Sequence, residues 1–295
     1  MEEHMRVIET VAEMRAARRE LASPVGFVPT MGYLHAGHLS LAQAARAESA
    51  NVVTSIFVNP TQFGPNEDLS RYPRDLPRDL DLLTSAGVDL VFAPSAAEMY
   101  PTGFATYVEP GGIISERLEA ASRPGHFCGV ATVVTKLFGI VAPDAAYFGQ
   151  KDAQQVAVIR RIIADLNLLV ELHVLPTVRE RDGLAMSSRN AYLNAEDRAS
   201  ATVLYRALQA GKALIEAEPS VSAERVIEEM RKVVATEPRA QLEYADICDP
   251  DTFAPVENMR APALLAISAR VGPARLIDNI LLREDTTWNT GTIAE

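Results

Sequence analysis

Only two cysteines occur in the 295 residues, Cys128 and Cys248. They stand far apart and form no CxxC or mixed Cys/His spacing, which argues against a disulfide framework and a Cys-ligated zinc site. Each reads instead as a buried small hydrophobe. Positive charge is also scarce, since 28 Lys and Arg face 39 Asp and Glu for a net charge of -11. A broad surface for nucleic acid needs clustered cations, so any polyanion bound here is small and locally cradled. Long apolar runs are missing too. No segment approaches the ~18 consecutive apolar residues of a membrane span, and the opening MEEHMRVIETVAEMRAARRE is charged throughout, unlike a signal peptide. These absences predict a cytoplasmic protein with small-molecule partners and neither nucleic acid nor membrane. No repeat of fixed period and no low-complexity tract is present.

What the chain does have is 48% hydrophobic residues arranged in two grammars. Up to about residue 176, short β-branched runs alternate with segments of helical period, the signature of βαβ units on a mostly parallel sheet. The strand candidates are 25–28, 51–58, 88–92, 145–148 and 169–176, with helical segments starting at Leu39, Asp75, Val130 and Asp152. This predicts an α/β fold, a doubly wound Rossmann-like domain over 1–176, with its ligand crevice beyond the carboxyl ends of the strands. Beyond it, helical stretches near 196–216 and 222–235 precede strand-like runs LEYADIC, ALLAIS and ARLIDNILL, which predicts a smaller α+β domain over 177–295. The polar tail REDTTWNTGTIAE is expected to be partly disordered.

Chemistry concentrates where strands turn into helices. In VPTMGYLHAGHLSLAQAAR, Pro29 and Gly32 end a strand, and His35 and His38 sit one helical turn apart at the start of a helix. Unpaired N–H groups and the positive end of the helix dipole attract phosphate there. Two imidazole donors can follow charge building on a phosphoryl oxygen, a single such donor being worth about 3 kcal/mol in a transition state, and Gly37 lets a ligand approach the backbone. In isolation an HxxH pair is more often one packed and one solvated histidine, or a metal pair; strand, glycines and helix in this order reverse that balance toward phosphate, and no third ligand at helical or hairpin spacing supports a metal. No metal ligand set is assigned.

Further along, SIFVNPTQF places the uncharged amides of Asn59 and Gln62 at the next strand end, suited to hydroxyl and carboxylate recognition, with plain Asn-Pro turn chemistry as the alternative. RPGHFCGV sets Arg123 and His126 in a turn before a helix, Arg123 able to fork onto a carboxylate or to lie on the surface. FGQKDAQQ turns at Gly149 with Lys151 at a helix start, where a cation is unfavourable unless an anion joins it. Asp152 is a cap candidate and Gln155 lies one turn on. DGLAMSSRN offers Ser187, Ser188 and Arg189, an inventory for a triphosphate or else a helix-initiation loop, with Asn194 as an N-cap.

With PTMGYLHAGH, SIFVNPTQF, YPR, RPGHFCGV, FGQKDAQQ and DGLAMSSRN in this order, and RLIDNI at 275–280, the chain resembles the pantothenate synthetase (pantoate-beta-alanine ligase) family of the HxGH nucleotidyltransferase superfamily over nearly its whole length. The resemblance implies an ATP-dependent ligase that condenses pantoate with beta-alanine through pantoyl adenylate, releasing AMP and pyrophosphate and making pantothenate, a precursor of coenzyme A. It implies that Met31, Gly32, Tyr33, Leu34, His35, Ala36, Gly37 and His38 surround ATP, with His35, His38 and Lys151 catalytic and His38 the usual proton donor. Gly149, Gln150, Lys151, Asp152, Val178, Met186, Ser187, Ser188 and Arg189 would complete the nucleotide site, Val178 on the adenine side. Gln62 and Gln155 would hold pantoate, Gln62 also lying beside the amine, with Asn59 and Arg123 in support. Mg2+, a hinged C-terminal lid and a homodimer are likewise implied. Gln150 stands where the family commonly has Glu, a change that matters only if the side chain contacts Lys151 or the ribose.

Two rivals frame this expectation. Another HxGH adenylyltransferase, acting on a small carboxylate or phosphate, would form its product without an amine. A regulatory module that kept the pocket would bind ATP and release no pyrophosphate. An acidic chain without a basic domain gives no support to a tRNA-charging role.

Overall fold

The computed structural model describes residues 5–294. By contact, the chain divides into two units: Met1–Gly111, Arg123–Gly149 and Val158–Leu175 form the first, and Gly112–Ser122, Gln150–Ala157 and Pro176–Glu295 the second.

The first unit is built on six parallel strands, β1 (Arg6–Ile8), β2 (Val25–Thr30), β3 (Asn51–Ile56), β4 (Leu90–Phe92), β5 (Ala145–Gly149) and β6 (Glu171–Leu175), in the order β1-β4-β3-β2-β5-β6. From β2 the chain winds one way through β3 and β4; from β5 it winds the other way to β6. The switch point therefore lies between β2 and β5, where a doubly wound sheet opens its crevice beyond the strand ends. This is the Rossmann-like sheet the alternating pattern predicts. β2 is apolar on both faces because helices cover both. Val28 packs in a core with Leu41, Ala42 and Ala45 of the helix Ala36–Glu48 and Leu83 of the helix Leu76–Ser85, while Phe27 meets Phe138 of the helix His126–Val141 edge to face at 6.5 Å.

The second unit holds β7 (Val178–Arg179), β8 (Ala240–Cys248), β9 (Ala263–Val271), β10 (Ala274–Leu282), β11 (Trp288–Asn289) and β12 (Thr292–Ile293). Four of them form an antiparallel sheet in the order β11-β10-β9-β8, and β12 pairs with β7 in parallel. Its core joins Ile247, Leu265, Ile267 and Ile280 of the sheet to Leu204 and Leu208 of the helix Val203–Ala217 and to Val226, Met230 and Val234 of the helix Ala223–Ala235.

Several local expectations are corrected. β1 was not foreseen, because three residues at a sheet edge carry no period. Two helices start earlier than their apolar periodicity. His35 caps one at Ala36 rather than Leu39, and Gly125, at φ +81°, starts the other at His126 rather than Val130, so His126 is helical. The stretch 196–216 is two helices, Ala195–Ala201 and Val203–Ala217, and Asn194 caps the first by accepting the Asp197 N–H at 2.8 Å. The tail is ordered over 288–293, since Trp288 packs on the second unit's core and the Thr292 N–H donates to the Thr177 carbonyl. Cys248 is buried, with its thiol pushed up to about 12 chiefly by that burial, but Cys128 is only half-buried. No helix among the described residues is long and apolar enough to cross a membrane.

Phe27 is fully buried, so Phe27→Ala should cost about 3–5 kcal/mol, read as a shift in the denaturant midpoint. A loss below about 1 kcal/mol would contradict its place between β2 and the helix His126–Val141.

Candidate active site

β2 ends at Thr30, and the chain must reorient within a few residues to enter the helix Ala36–Glu48. Gly32 (φ +81°) and Tyr33 (φ +51°) make that turn in the left-handed region, which a residue with a Cβ enters at a cost of roughly 1–2 kcal/mol. Asp79 holds the turn in place. Its carboxylate, 1% exposed, accepts the Tyr33 and Leu34 N–H groups, each at 2.7 Å. Burial raises the Asp79 pKa, and those two bonds together with Arg78 oppose the rise. Arg78 also donates to the Leu34 carbonyl at 3.0 Å and lies over the Tyr33 ring.

This corner orients the two histidines. His35 Nδ1 accepts the Gly37 N–H at 3.2 Å, and His38 Nδ1 accepts the His35 N–H at 3.3 Å. The ring centroids stand 4.0 Å apart. A ring nitrogen that accepts a backbone N–H carries a lone pair, so in each neutral imidazole the proton resides on Nε2. The helix start thus fixes both rings as Nε2–H donors. It also engages the Gly37 N–H, because the histidines themselves cap the helix.

Beyond β3, Asn59 opens the short turn Pro60–Gln62. The Asn59 side chain is wholly engaged. Its oxygen accepts the Tyr100 hydroxyl at 2.7 Å and the Thr61 hydroxyl at 2.9 Å, while its NH2 donates to Gln62 Oε1 at 3.0 Å and to the Gly129 carbonyl at 3.2 Å. With that oxygen held, Gln62 keeps its NH2 as a donor, now 3.3 Å from Met31 Sδ. His126 donates Nδ1–H to the Gln62 carbonyl at 2.9 Å, and the Arg123 fork lies on the Glu67 carboxylate, with Nε to Oε1 at 2.9 Å. The carboxylate that Arg123 grips is therefore one of the chain's own. Gly129 allows the closest approach: a Cβ there would lie 2.7 Å from Gln62 Cα and closer still to the Thr61 carbonyl.

The first unit brings together Met31, Asn59, Gln62 and Arg123, and carries the other candidates of the corner, Gly32, Tyr33, Leu34, His35, Ala36, Gly37 and His38, together with Gly149. Gln150, Lys151, Asp152, Gln155, Val178, Met186, Ser187, Ser188 and Arg189 lie in the second unit. Gln150, Lys151 and Asp152 form a short turn ahead of the helix Ala153–Asp165, with Lys151 Nζ 3.6 Å from Asp152 Oδ1. Gln150 donates to Asn279 Oδ1 at 3.3 Å. Of the two adjacent glutamines, Gln154 is buried and spent on the Glu119 N–H and on the Ile114 and Arg117 carbonyls, whereas Gln155, the sequence candidate, is half-buried. The Met186 N–H donates to the Val178 carbonyl at 2.9 Å, which draws two nucleotide candidates together. Ser187 Oγ accepts the Arg189 N–H at 3.3 Å, capping the turn Ser188–Tyr192.

Asp79, Glu67, Tyr100 and Asn279 were not foreseen. Asp79 left one signal, standing four residues before buried Leu83 on its helix, where an acidic side chain on the covered face calls for a partner.

A family model of pantoate-beta-alanine ligase matches residues 6–281. The pantothenate synthetase of Roseiflexus sp. (strain RS-1) is 58% identical over 279 residues, 94% of this chain and 99% of that one. The crystal structure of pantothenate synthetase from Thermus thermophilus matches with a TM-score of 0.89 at 51% identity, covering 93% of this chain and 98% of that chain. That of pantoate-beta-alanine ligase from Francisella tularensis, complexed with beta-gamma ATP and beta-alanine, matches with a TM-score of 0.78 at 34% identity, covering 96% and 99%.

Gly129→Ala should destabilise the fold despite alanine's higher helix propensity and raise the concentration of carboxylate substrate needed for half-maximal rate, because the Thr61–Gln62 backbone must move aside. Unchanged steady-state kinetics with a raised melting temperature would show that the close approach does not constrain the Gln62 turn.

Proposed function

The chain belongs to the pantoate-beta-alanine ligase family, and on that premise we propose how its residues divide the work of joining pantoate to beta-alanine. The enzyme is an ATP-dependent, AMP-forming acid–amine ligase that makes pantothenate. In the first step a pantoate carboxylate oxygen attacks the α-phosphorus of ATP; the new P–O bond forms as the bond to pyrophosphate breaks, giving pantoyl adenylate. In the second the beta-alanine amine attacks the activated carbonyl, a C–N bond forms, the acyl C–O bond breaks to release AMP, and the amine gives up a proton to solvent.

The observation that carries the assignment of roles is the filled Nδ1 of both histidines. Fixed as Nε2–H donors, His35 and His38 can meet charge that develops on the phosphate oxygens, where preorganised donors act most strongly; in this reading His38 gives a hydrogen bond from Nε2–H and keeps its proton, where the family resemblance implied a proton donor. Lys151, Ser187, Ser188 and Arg189 receive the phosphates, and Val178 the adenine. Gln62 and Gln155 bind pantoate with uncharged amides, so the carboxylate stays nucleophilic. Asn59 and Arg123 act through Gln62: one holds its side-chain oxygen and the other, with His126, its carbonyl. Bringing amine and adenylate together is most of what the second step requires, and excluding water protects the acyl adenylate.

Mg2+ fits this reading as part of the nucleotide. Mg2+ binds through substrate phosphates and keeps several of its own waters. There it would neutralise phosphate charge. A cytoplasmic location accords with two free thiols; the homodimer rests on family resemblance.

With ATP, Mg2+, pantoate and beta-alanine together, AMP should accumulate, and omission of any one small substrate should stop it. His38→Ala should lower turnover roughly 100-fold with little change in ATP affinity, by the size of single-donor effects; near-normal turnover removes its role. Gln62→Ala should raise the pantoate KM, and an unaltered value would count against its contact with pantoate.

A further inference from the structure

The RLIDNI segment lies in β10, and one of its residues is a buried amide for which packing alone gives no reason. Asn279 is 4% exposed in β10, where a buried apolar side chain would desolvate no polar group. Every polar atom of Asn279 is engaged. Its N–H donates to Asp278 Oδ1 at 2.7 Å, its carbonyl accepts Arg179 Nη2–H at 3.1 Å, and its NH2 donates to the carbonyls of Gln150 at 3.1 Å and Lys151 at 2.8 Å. Its side-chain oxygen accepts the Gln150 NH2 at 3.3 Å. Two carbonyls on one side and a donor on the other leave the amide a single orientation, since a flipped Asn279 would turn its oxygen onto both carbonyls.

The strand beneath it is equally fixed. Arg179 is fully buried, forks onto Asp278 at 2.6 and 2.8 Å, and follows Val178 in β7. The same guanidinium that holds the Asn279 carbonyl thus anchors the hairpin joining Val178 to Met186.

We propose that Asn279 is a positioning residue for Lys151, seating the Gln150–Lys151 backbone so that the ammonium group is presented to the nucleotide phosphates. The inference rests on the assignment of Lys151 to ATP given above. Lysine carries four rotatable side-chain bonds, and at a helix start the dipole repels its charge; fixing the backbone that carries it reduces the disorder an arriving phosphate must overcome. Gln150 takes part in the same clamp through its side-chain amide.

The test uses Asn279→Asp, which keeps the shape and turns the donor facing two carbonyls into an acceptor, with Asn279→Ala as a second variant that removes the donor without adding charge. Pyrophosphate release from ATP and pantoate should fall about 10- to 100-fold in kcat, with the pantoate KM within about twofold of the parent. In a Lys151→Ala background either substitution should cost no more than about a further twofold, because the two residues act as one unit. Full additivity of the losses, or an unchanged kcat in both variants, overturns the inference while leaving the ligase reading intact. A parent enzyme that releases no pyrophosphate removes both. If both variants lose their cooperative thermal transition at the assay temperature, Asn279 is a core strut and the proposal is overturned.

Discussion

A strand that ends inside a parallel sheet leaves backbone N–H groups with neither a ladder nor a helix to satisfy them, and the way this chain meets that requirement governs the rest of its site. After β2 the Tyr33 and Leu34 N–H groups point into protein, and one buried carboxylate, Asp79, accepts both. A single side chain from another helix thereby fixes two consecutive residues, one at positive φ. Everything downstream inherits that orientation. His35 becomes a cap, the helix begins where His38 can reach back to the His35 N–H, and both rings adopt the same protonation pattern. The orientation of both histidines is a by-product of satisfying the backbone.

The amide side of the site follows the same logic with neutral groups. Asn59 spends both ends of its side chain on the protein, so it acts by orienting Gln62. His126 and Arg123 grip the Gln62 carbonyl from the start of a neighbouring helix, which comes so close only because residue 129 has no Cβ. Binding groups with little conformational freedom of their own lose little on meeting a ligand.

The parallel sheet was legible because both its faces are covered, so its strands read as apolar β-branched runs, and the corner residues were legible because glycine, histidine and proline stand at fixed spacing. Their supporting partners were not. Tyr100, Asp79 and Glu67 meet Asn59, Tyr33 and Arg123 across separations of 41, 46 and 56 positions, and no local period encodes such a meeting. The QQ pair shows the limit most plainly: Gln154 and Gln155 are alike in sequence, and only burial separates the glutamine that ties down residues 114–119 from its half-buried neighbour. The tail misled for the converse reason, since its polar composition hides one tryptophan and a stretch of backbone able to pair.

That pairing has a consequence for biosynthesis. β7 carries Val178, yet its ladder partner β12 comes more than a hundred residues later. As the polypeptide leaves the ribosome, the Rossmann-like sheet has all six of its strands by Leu175 and can begin to fold during translation. The β7 edge must wait until Thr292 has emerged. A nascent or prematurely terminated chain is therefore left with an open β-edge at the place where the finished enzyme is assigned its nucleotide, and such an edge is prone to pair with other chains.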